Sequence, residues 1–292
     1  MMSPLRLAAA LATALTLAAF PSSATAAAPT GTSGPVIHHH GDWYLRTTPS
    51  GGVAEQEFHY GLGSDVPLVG DWNGNGSETV GVARLSAGDQ IQWFLRNSNS
   101  AGGADLSFSF GELRFISGDV LGSIPVAGNF DPSDDAYEVG VVYADSSTGT
   151  LTWVIRRDLT PSSPTVTFSY GRAYDRPVVG DWNGDGSDTP GVVRSNTWYL
   201  TNQVLTGGLA DLSFRFGSGR DLPVPGDWNG DGIDTPGVVR DAAGTQVGSY
   251  QNWLLRNSNT AGPANASFTF GGEPLAVDFP NEYLTRLAIE VS

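Results

Sequence analysis

The feature that most restricts what this chain can fold into is a repeat. A Trp-led apolar tetrapeptide returns five times: WYLR at Trp43, WFLR at Trp93, WVIR at Trp153, WYLT at Trp198 and WLLR at Trp253. After each copy, in fixed order, come three further signals. The first is an aromatic-x-aromatic-Gly segment, ending at Gly61, Gly111, Gly171, Gly217 and Gly271. The second reads PLVGDW, IPVAGNF, PVVGDW, PVPGDW and, last, PLAVDF; the third reads VGVAR, VGVVY and twice PGVVR, with RLAIE as a weaker fifth. The four segments are rich in Val, Phe, Tyr, Trp and Leu and are separated by Gly, Pro, Asn, Asp and Ser, the signature of short strands and turns.

The tryptophans that lead successive tetrapeptides are 45 to 60 residues apart. Four strands in a unit of that size make one propeller blade. In WYL and GVV the apolar residues are consecutive instead of alternating, which suits strands covered on both faces, as stacked blades cover one another. A β-sandwich would show cleaner alternation and no strict repeat. The expectation is an all-β chain, a β-propeller of about five four-stranded blades.

The ends of the chain fit a ring. Arg6 precedes an apolar run from Leu7 to Phe20, and Ala24-Thr25-Ala26 offers a small-x-small cleavage pattern, so residues 1–26 read as a secretory signal peptide. No later stretch is long and apolar enough to span a bilayer, so no membrane insertion is expected. Residues 27–34 read as a flexible mature N-terminus and 35–292 as a single propeller domain. SGPVIH, before Trp43, resembles the third signal, so the chain enters its first unit partway through. C-terminal strands completing that first blade would close the ring and hide its sheet edges. The His38-His39-His40 run, present in one copy, reads as a solvated segment.

Charge and cysteine count narrow the partners. The formal net charge is −15, which disfavours nucleic acid and anionic lipid and leaves cations, neutral glycans and proteins. A secreted chain with no cysteine must be held by its core, by ring closure or by bound metal.

Three acidic loops align without gaps: DWNGNGSET (71–79), DWNGDGSDT (181–189) and DWNGDGIDT (227–235). Oxygen-bearing side chains fall at positions 1, 3 and 5, Gly at 6, a carboxylate at 8 and Thr at 9. A loop curling round a small cation turns positions 1, 3 and 5 inward, and Gly at 6 permits the sharp bend. Asn-Gly and Asp-Gly also make hairpin turns with no metal at all. An EF-hand is excluded, because position 12 is Val82, Val192 and Val238 where a bidentate Glu is needed. The loop at 128–138 is one residue longer and offers Asn129, Asp131 and Asp134 out of register, and DFPNE (278–282) has lost the motif. The Trp that follows each loop Asp reads as a packing residue, with stacking on a sugar as the alternative.

The order of these motifs resembles the FG-GAP and VCBS repeats of integrin α-subunit propellers and secreted bacterial proteins. That resemblance implies calcium in loops between adjacent strands. It carries ligand roles onto Asp181, Asn183, Asp185 and the Ser187 carbonyl, and onto Asp227, Asn229, Asp231 and the Ile233 carbonyl. Asp71, Asn73 and Asn75 form a weaker set, lacking the carboxylate at position 5. The family's last carboxylate stands at position 9, whereas Glu78, Asp188 and Asp234 stand at 8. Either the carboxylate reaches in from a shifted loop, or the Thr hydroxyl or a water replaces it. The integrin ring has seven blades, so five units could also be part of a ring completed by another chain.

No nucleophile elbow, zinc-protease motif or phosphate loop occurs. The expected function is therefore a secreted, extracellular, non-catalytic calcium-binding protein for adhesion or recognition of a glycan or protein. A propeller lectin is the alternative, and a polysaccharide-active enzyme a more distant one.

Overall fold

The structure is a computed structural model and describes residues 16–20, 32–85, 90–117, 120–131, 133–145, 147–241 and 251–271. Among them there is no helix. The chain is a five-bladed β-propeller of four-stranded antiparallel blades. Blade I contains β1 (Thr16–Phe20), β2 (Gly34–His39), β3 (Asp42–Leu45) and β4 (Gln56–His59). Blade II contains β5 (Val66–Gly70), β6 (Thr79–Arg84), β7 (Gln90–Leu95) and β8 (Leu106–Glu112). A short hairpin, β9 (Phe115–Ser117) and β10 (Val120–Leu121), precedes blade III, formed by β11 (Ser123–Gly128), β12 (Glu138–Asp145), β13 (Thr150–Arg156) and β14 (Thr165–Arg172). Blade IV is β15 (Arg176–Gly180), β16 (Thr189–Arg194), β17 (Thr197–Leu200) and β18 (Leu212–Arg215); blade V is β19 (Leu222–Gly226), β20 (Thr235–Asp241), β21 (Gln251–Leu255) and β22 (Ala266–Phe270).

The first strands β1, β5, β11, β15 and β19 touch one another in sequence and back to the start, so they surround the axis. In blades II to V the PLVG-type segments are inner strands and the VGVAR-type segments second strands, and in all five blades the Trp tetrapeptides are third strands and the aromatic-Gly segments outer strands; the fifth PLVG-type and VGVAR-type copies lie outside the described residues. A partial ring awaiting another chain is not what is found, since blade V abuts blade I. The ring has five blades, not seven.

The tryptophans show why the repeat is kept. Trp43, Trp93, Trp153, Trp198 and Trp253 are at most 1% exposed, and each lies across from a Phe of the outer strand, with ring centroids 5.9–6.5 Å apart. Each indole N–H donates to a carbonyl at the aromatic-Gly junction, as from Trp153 to Tyr170 at 2.9 Å. An indole buried this deeply needs such an acceptor. The glycine that follows has φ between 78° and 92° in all five copies. It also lies against the second strand of the next blade: a Cβ on Gly171 would come 2.7 Å from Val192, and one on Gly271 would collide with Ile37. The aromatic-Gly signal therefore marks a seam between blades, including the closing seam.

Two sequence expectations meet a different outcome or need sharpening here. The histidine run is not a solvated segment: His38 and His39 are buried in β2, and only His40 is exposed, in the turn that follows. Period-two burial does not protect a strand covered on both faces, so both residues go inside. Burial pushes His38 down to about 4. SGPVIH is indeed a second strand, and its partner β1 comes from within the expected leader. Ser33 is buried beside it.

Candidate functional site

The acidic loops join inner to second strands at one end of blades II, IV and V. At position 1, Asp71, Asp181 and Asp227 are buried, between 1% and 6% exposed. Their carboxylates accept the loop's own N–H groups: Asp181 accepts Gly184 at 2.8 Å, Asp185 at 3.2 Å and Gly186 at 3.0 Å, and Asp227 and Asp71 do the same in their loops. Glycines at positions 4 and 6 take the positive φ that this curl requires, 75° and 100° at Gly184 and Gly186. Burial raises the carboxyls of Asp71 and Asp227 above the usual range. A cation in the loop would act in the opposite direction.

Positions 3 and 5 are exposed. Asn183 donates to Asp185, and Asn229 to Asp231, at 2.9 Å each, while Asp185 accepts Ser187 N–H and Asp231 accepts Ile233 N–H. Asn75 likewise accepts Ser77 N–H; Asn73 is exposed in the same loop. So each loop is curled as the motif demands and is closed by its own hydrogen bonds. No group of three or more His, Asp or Glu side chains stands at metal-holding distance among the described residues. A carboxylate oxygen that takes one N–H still has a lone pair. The fit to a hard cation therefore rests on two carboxylates, one amide oxygen and the position-7 carbonyl of Ser187 or Ile233.

Position 8 does something else. Asp188 accepts the N–H of Asn129 at 2.8 Å and donates its own N–H to the Asn129 carbonyl at 2.7 Å, so it clasps the residue at position 1 of the preceding blade. Asp234 clasps Asp181 in the same way, at 2.9 and 2.8 Å. Tyr137, at the equivalent place in blade III, donates its N–H to the Asp71 carbonyl and its hydroxyl to Glu78. Ser33 completes the series: its N–H reaches the Asp227 carbonyl at 2.7 Å and its hydroxyl accepts Asp227 N–H at 3.0 Å. The Thr at position 9 is also engaged, donating to the carbonyl of the Gly before the loop, as Thr189 does to Gly180 at 3.3 Å.

The longer loop of blade III is built differently. Asn129 is buried in the seam, while Asp131 and Asp134 each cap a separate turn, accepting Ser133 and Ala136 N–H. The buried carboxylate that holds this loop is Glu138, which accepts the N–H groups of Phe130 at 2.8 Å and Asp131 at 3.1 Å. Burial raises the Glu138 carboxyl to about 8. An acid raised in the fold stabilises it fully below its unfolded value and loses that contribution as pH climbs through the folded value. In chelator, stability should fall between about pH 4.5 and pH 8 by an amount on the order of a few kcal/mol, and Glu138→Gln should flatten that slope. Urea unfolding followed by circular dichroism across this range measures it; parallel slopes for the two proteins would exclude Glu138 as the source.

DFPNE lies outside the described residues. All eight tryptophans are buried, those after the loop Asp (Trp72, Trp182, Trp228) being 3–5% exposed with their N–H donating to the second strand. They are packing residues and offer no face to a sugar.

Sequence reasoning missed two features. One is the seam clasp. The other is an ion pair inside a blade: Asp65 with Arg84, Asp175 with Arg194 and Asp221 with Arg240, each bidentate. The constant separation of 19 residues was its signal. Blade III lacks it, with Ser123 and Tyr143 in those places. Arg84 also covers the ring of Phe94 at 4.5 Å and lines a notch of about 200 Å³ between blades I and II, together with Tyr60, Val82, Gly102 and Ala104. The Tyr60 hydroxyl is buried and has no hydrogen-bond partner, as is the hydroxyl of Tyr170, near the matching Arg194 and Tyr199 pair.

No family model matches the chain, and no curated protein or solved structure gives a significant match.

Proposed function

We propose that this is a secreted, extracellular propeller of the FG-GAP and VCBS type, non-catalytic, whose acidic loops bind calcium and stiffen one end of the ring for adhesion or recognition. The observation that carries this reading is the recurring curl of three loops at equivalent joints, each closed by N–H bonds to a buried Asp at position 1, bent at two glycines, and carrying further side-chain oxygens at positions 3 and 5. Asp181 with Asp185, and Asp227 with Asp231, supply two carboxylates per loop, with Asn183 or Asn229 and the carbonyl of Ser187 or Ile233 completing the set. Calcium would supply charge neutralisation of those pairs. Two carboxylates suit a dissociation constant of about 0.1–1 mM, as in extracellular modules.

At 10 mM calcium, a 1 mM site adds about 1.4 kcal/mol. Two occupied loops should then raise the thermal midpoint by roughly 5–10 °C in a chain of this size. Asp185→Asn with Asp231→Asn should abolish most of that gain and leave the midpoint in chelator unchanged, since both side chains are exposed. Scanning calorimetry with and without calcium decides it: no gain in the unaltered protein removes the calcium reading.

One observation favours a lectin as the second reading. The notch at Tyr60 and Arg84 combines an unpaired hydroxyl, a guanidinium and an aromatic ring in a space of monosaccharide size. A glycan array without hits would eliminate it.

A further inference from the structure

We propose that the inner edge of blade I, the side of β2 paired with β1, is the docking site for the chain's own segment Glu273–Val277, which takes the place of Thr16–Phe20 once the leader is removed. The proposal rests on the leader reading and is independent of calcium.

Four blades take their inner strand from the PLVG-type segment, at β5, β11, β15 and β19. The sequence holds five copies, and the fifth, PLAVDF at 274–279, lies outside the described residues, the inner strand of blade V being Leu222–Gly226. The strand now in the blade I position, TLAAF, carries neither the Pro nor the Asp of the motif. Register then follows from the other blades, where Pro67 faces Val82 and Gly70 faces Thr79. It places Glu273 opposite His38, Pro274 opposite Ile37, Leu275 opposite Val36, Ala276 opposite Pro35 and Val277 opposite Gly34.

Three local exchanges agree with this register. In blades II, IV and V the second strand has a Gly pressed by the Trp after the loop Asp: a Cβ on Gly81, Gly191 or Gly237 would lie 2.9–3.1 Å from Cζ2 of Trp72, Trp182 or Trp228. Blade I has the larger Val36 there, and the fifth copy has the smaller Phe279. Blade III, with Phe130, keeps Gly140 against Ile155. Next, each of these three blades pairs an inner-strand Gly with a Thr, whereas blade I offers Gly34 and the fifth copy offers Val277. Third, His38 occupies a place that is aliphatic in blades II, IV and V (Ala83, Val193, Val239), and its buried Nε2 has no partner. A carboxylate at 273 supplies one.

The seam clasp continues the pattern. Ser33 already holds Asp227 as the position-8 residue of blade I. The same rule sets Glu78 of blade II against residue 278.

The chain has no cysteine, so an engineered pair reports the pairing alone. At the equivalent place in blade V, Pro225 faces Pro236. Two prolines can face each other only where no ladder bond is exchanged, and side chains are closest there. Pro35→Cys with Ala276→Cys should therefore form a disulfide within one chain. The full-length variant would be expressed with its leader, and the secreted protein examined by intact mass, non-reducing electrophoresis and circular dichroism. The expected result is a chain that has lost its leader and carries the 35–276 bond in essentially every molecule; Ile37→Cys with Pro274→Cys should behave alike if the first pair folds poorly. Pro35→Cys with Leu275→Cys, on opposite faces, should keep its thiols. Processed, folded protein with free thiols in both matched pairs would overturn the proposal. So would a bond found only between two chains, which would make a second copy the occupant, or secreted protein that retains residues 16–20.

Discussion

Trp153→Ala should cost about 3–5 kcal/mol of unfolding free energy. The indole is fully buried between blades, its ring stacked on Phe168 at a centroid distance of 5.9 Å and 13° between planes, and its N–H donates to Tyr170. Truncation opens a cavity lined by groups that belong to β-strands on both sides, which cannot collapse without shifting a blade. It also leaves the Tyr170 carbonyl without its indole donor. Trp153→Phe separates the two contributions: the ring face is kept and the hydrogen bond lost, for a cost of about 1–2 kcal/mol. Urea denaturation followed by tryptophan fluorescence and circular dichroism measures both. A loss below 1 kcal/mol for the Ala variant would mean that the repeated Trp is not the fastening of the blade. Trp198→Ala, at the same place one blade on, should match it.

The repeat made most of the fold legible, because each unit writes its four strands in the same order and its glycines and tryptophans stand at contacts that recur at every seam. Gly171 is a case in point: its φ of 91° and its nearness to Val192 require a residue without a side chain, and the requirement repeats in every blade. The site was legible only in part. Oxygens at positions 1, 3 and 5 correctly marked a curled loop, and the alternation of exposed and buried positions was not visible in spacing alone. Spacing alone makes the carboxylate at position 8 a candidate ligand, because a one-dimensional motif names no neighbour. Its hydrogen bonds run to a residue 59 positions away for Asp188 and 53 for Asp234, across a seam. His38 and His39 misled for a related reason. Polar residues in a strand closed on both faces are buried by the architecture, whatever their own preference.

The seam role of Asp188 yields the second large effect. Asp188→Ala should destabilise the protein by about 1–3 kcal/mol, the loss expected when a buried N–H, here that of Asn129, is deprived of its acceptor. Asp188→Asn keeps the shape and one acceptor oxygen and should lose less. Calcium discriminates the clasp from a metal ligand. If Asp188 holds the seam, the loss is the same in chelator and in 10 mM calcium, and the calcium-induced rise in midpoint survives. If it ligates the ion, the variant matches the unaltered protein in chelator and falls behind only when calcium is added. Asp185→Asn should show the opposite pattern, being exposed with its side-chain hydrogen bonds running to Asn183 and Ser187 of its own loop. Thermal unfolding of the two variants under both conditions therefore assigns each carboxylate either to the seam or to a cation in its own loop. The clasp gives position 8 a part in every seam described: the N–H of the last residue before the second strand meets the carbonyl of the preceding blade's position-1 residue, whether that last residue is Asp188, Asp234, Tyr137 or Ser33. In blades IV and V the carboxylate adds a second bond to the N–H of that same position-1 residue, a contact that a ligand turned into its own loop would not make.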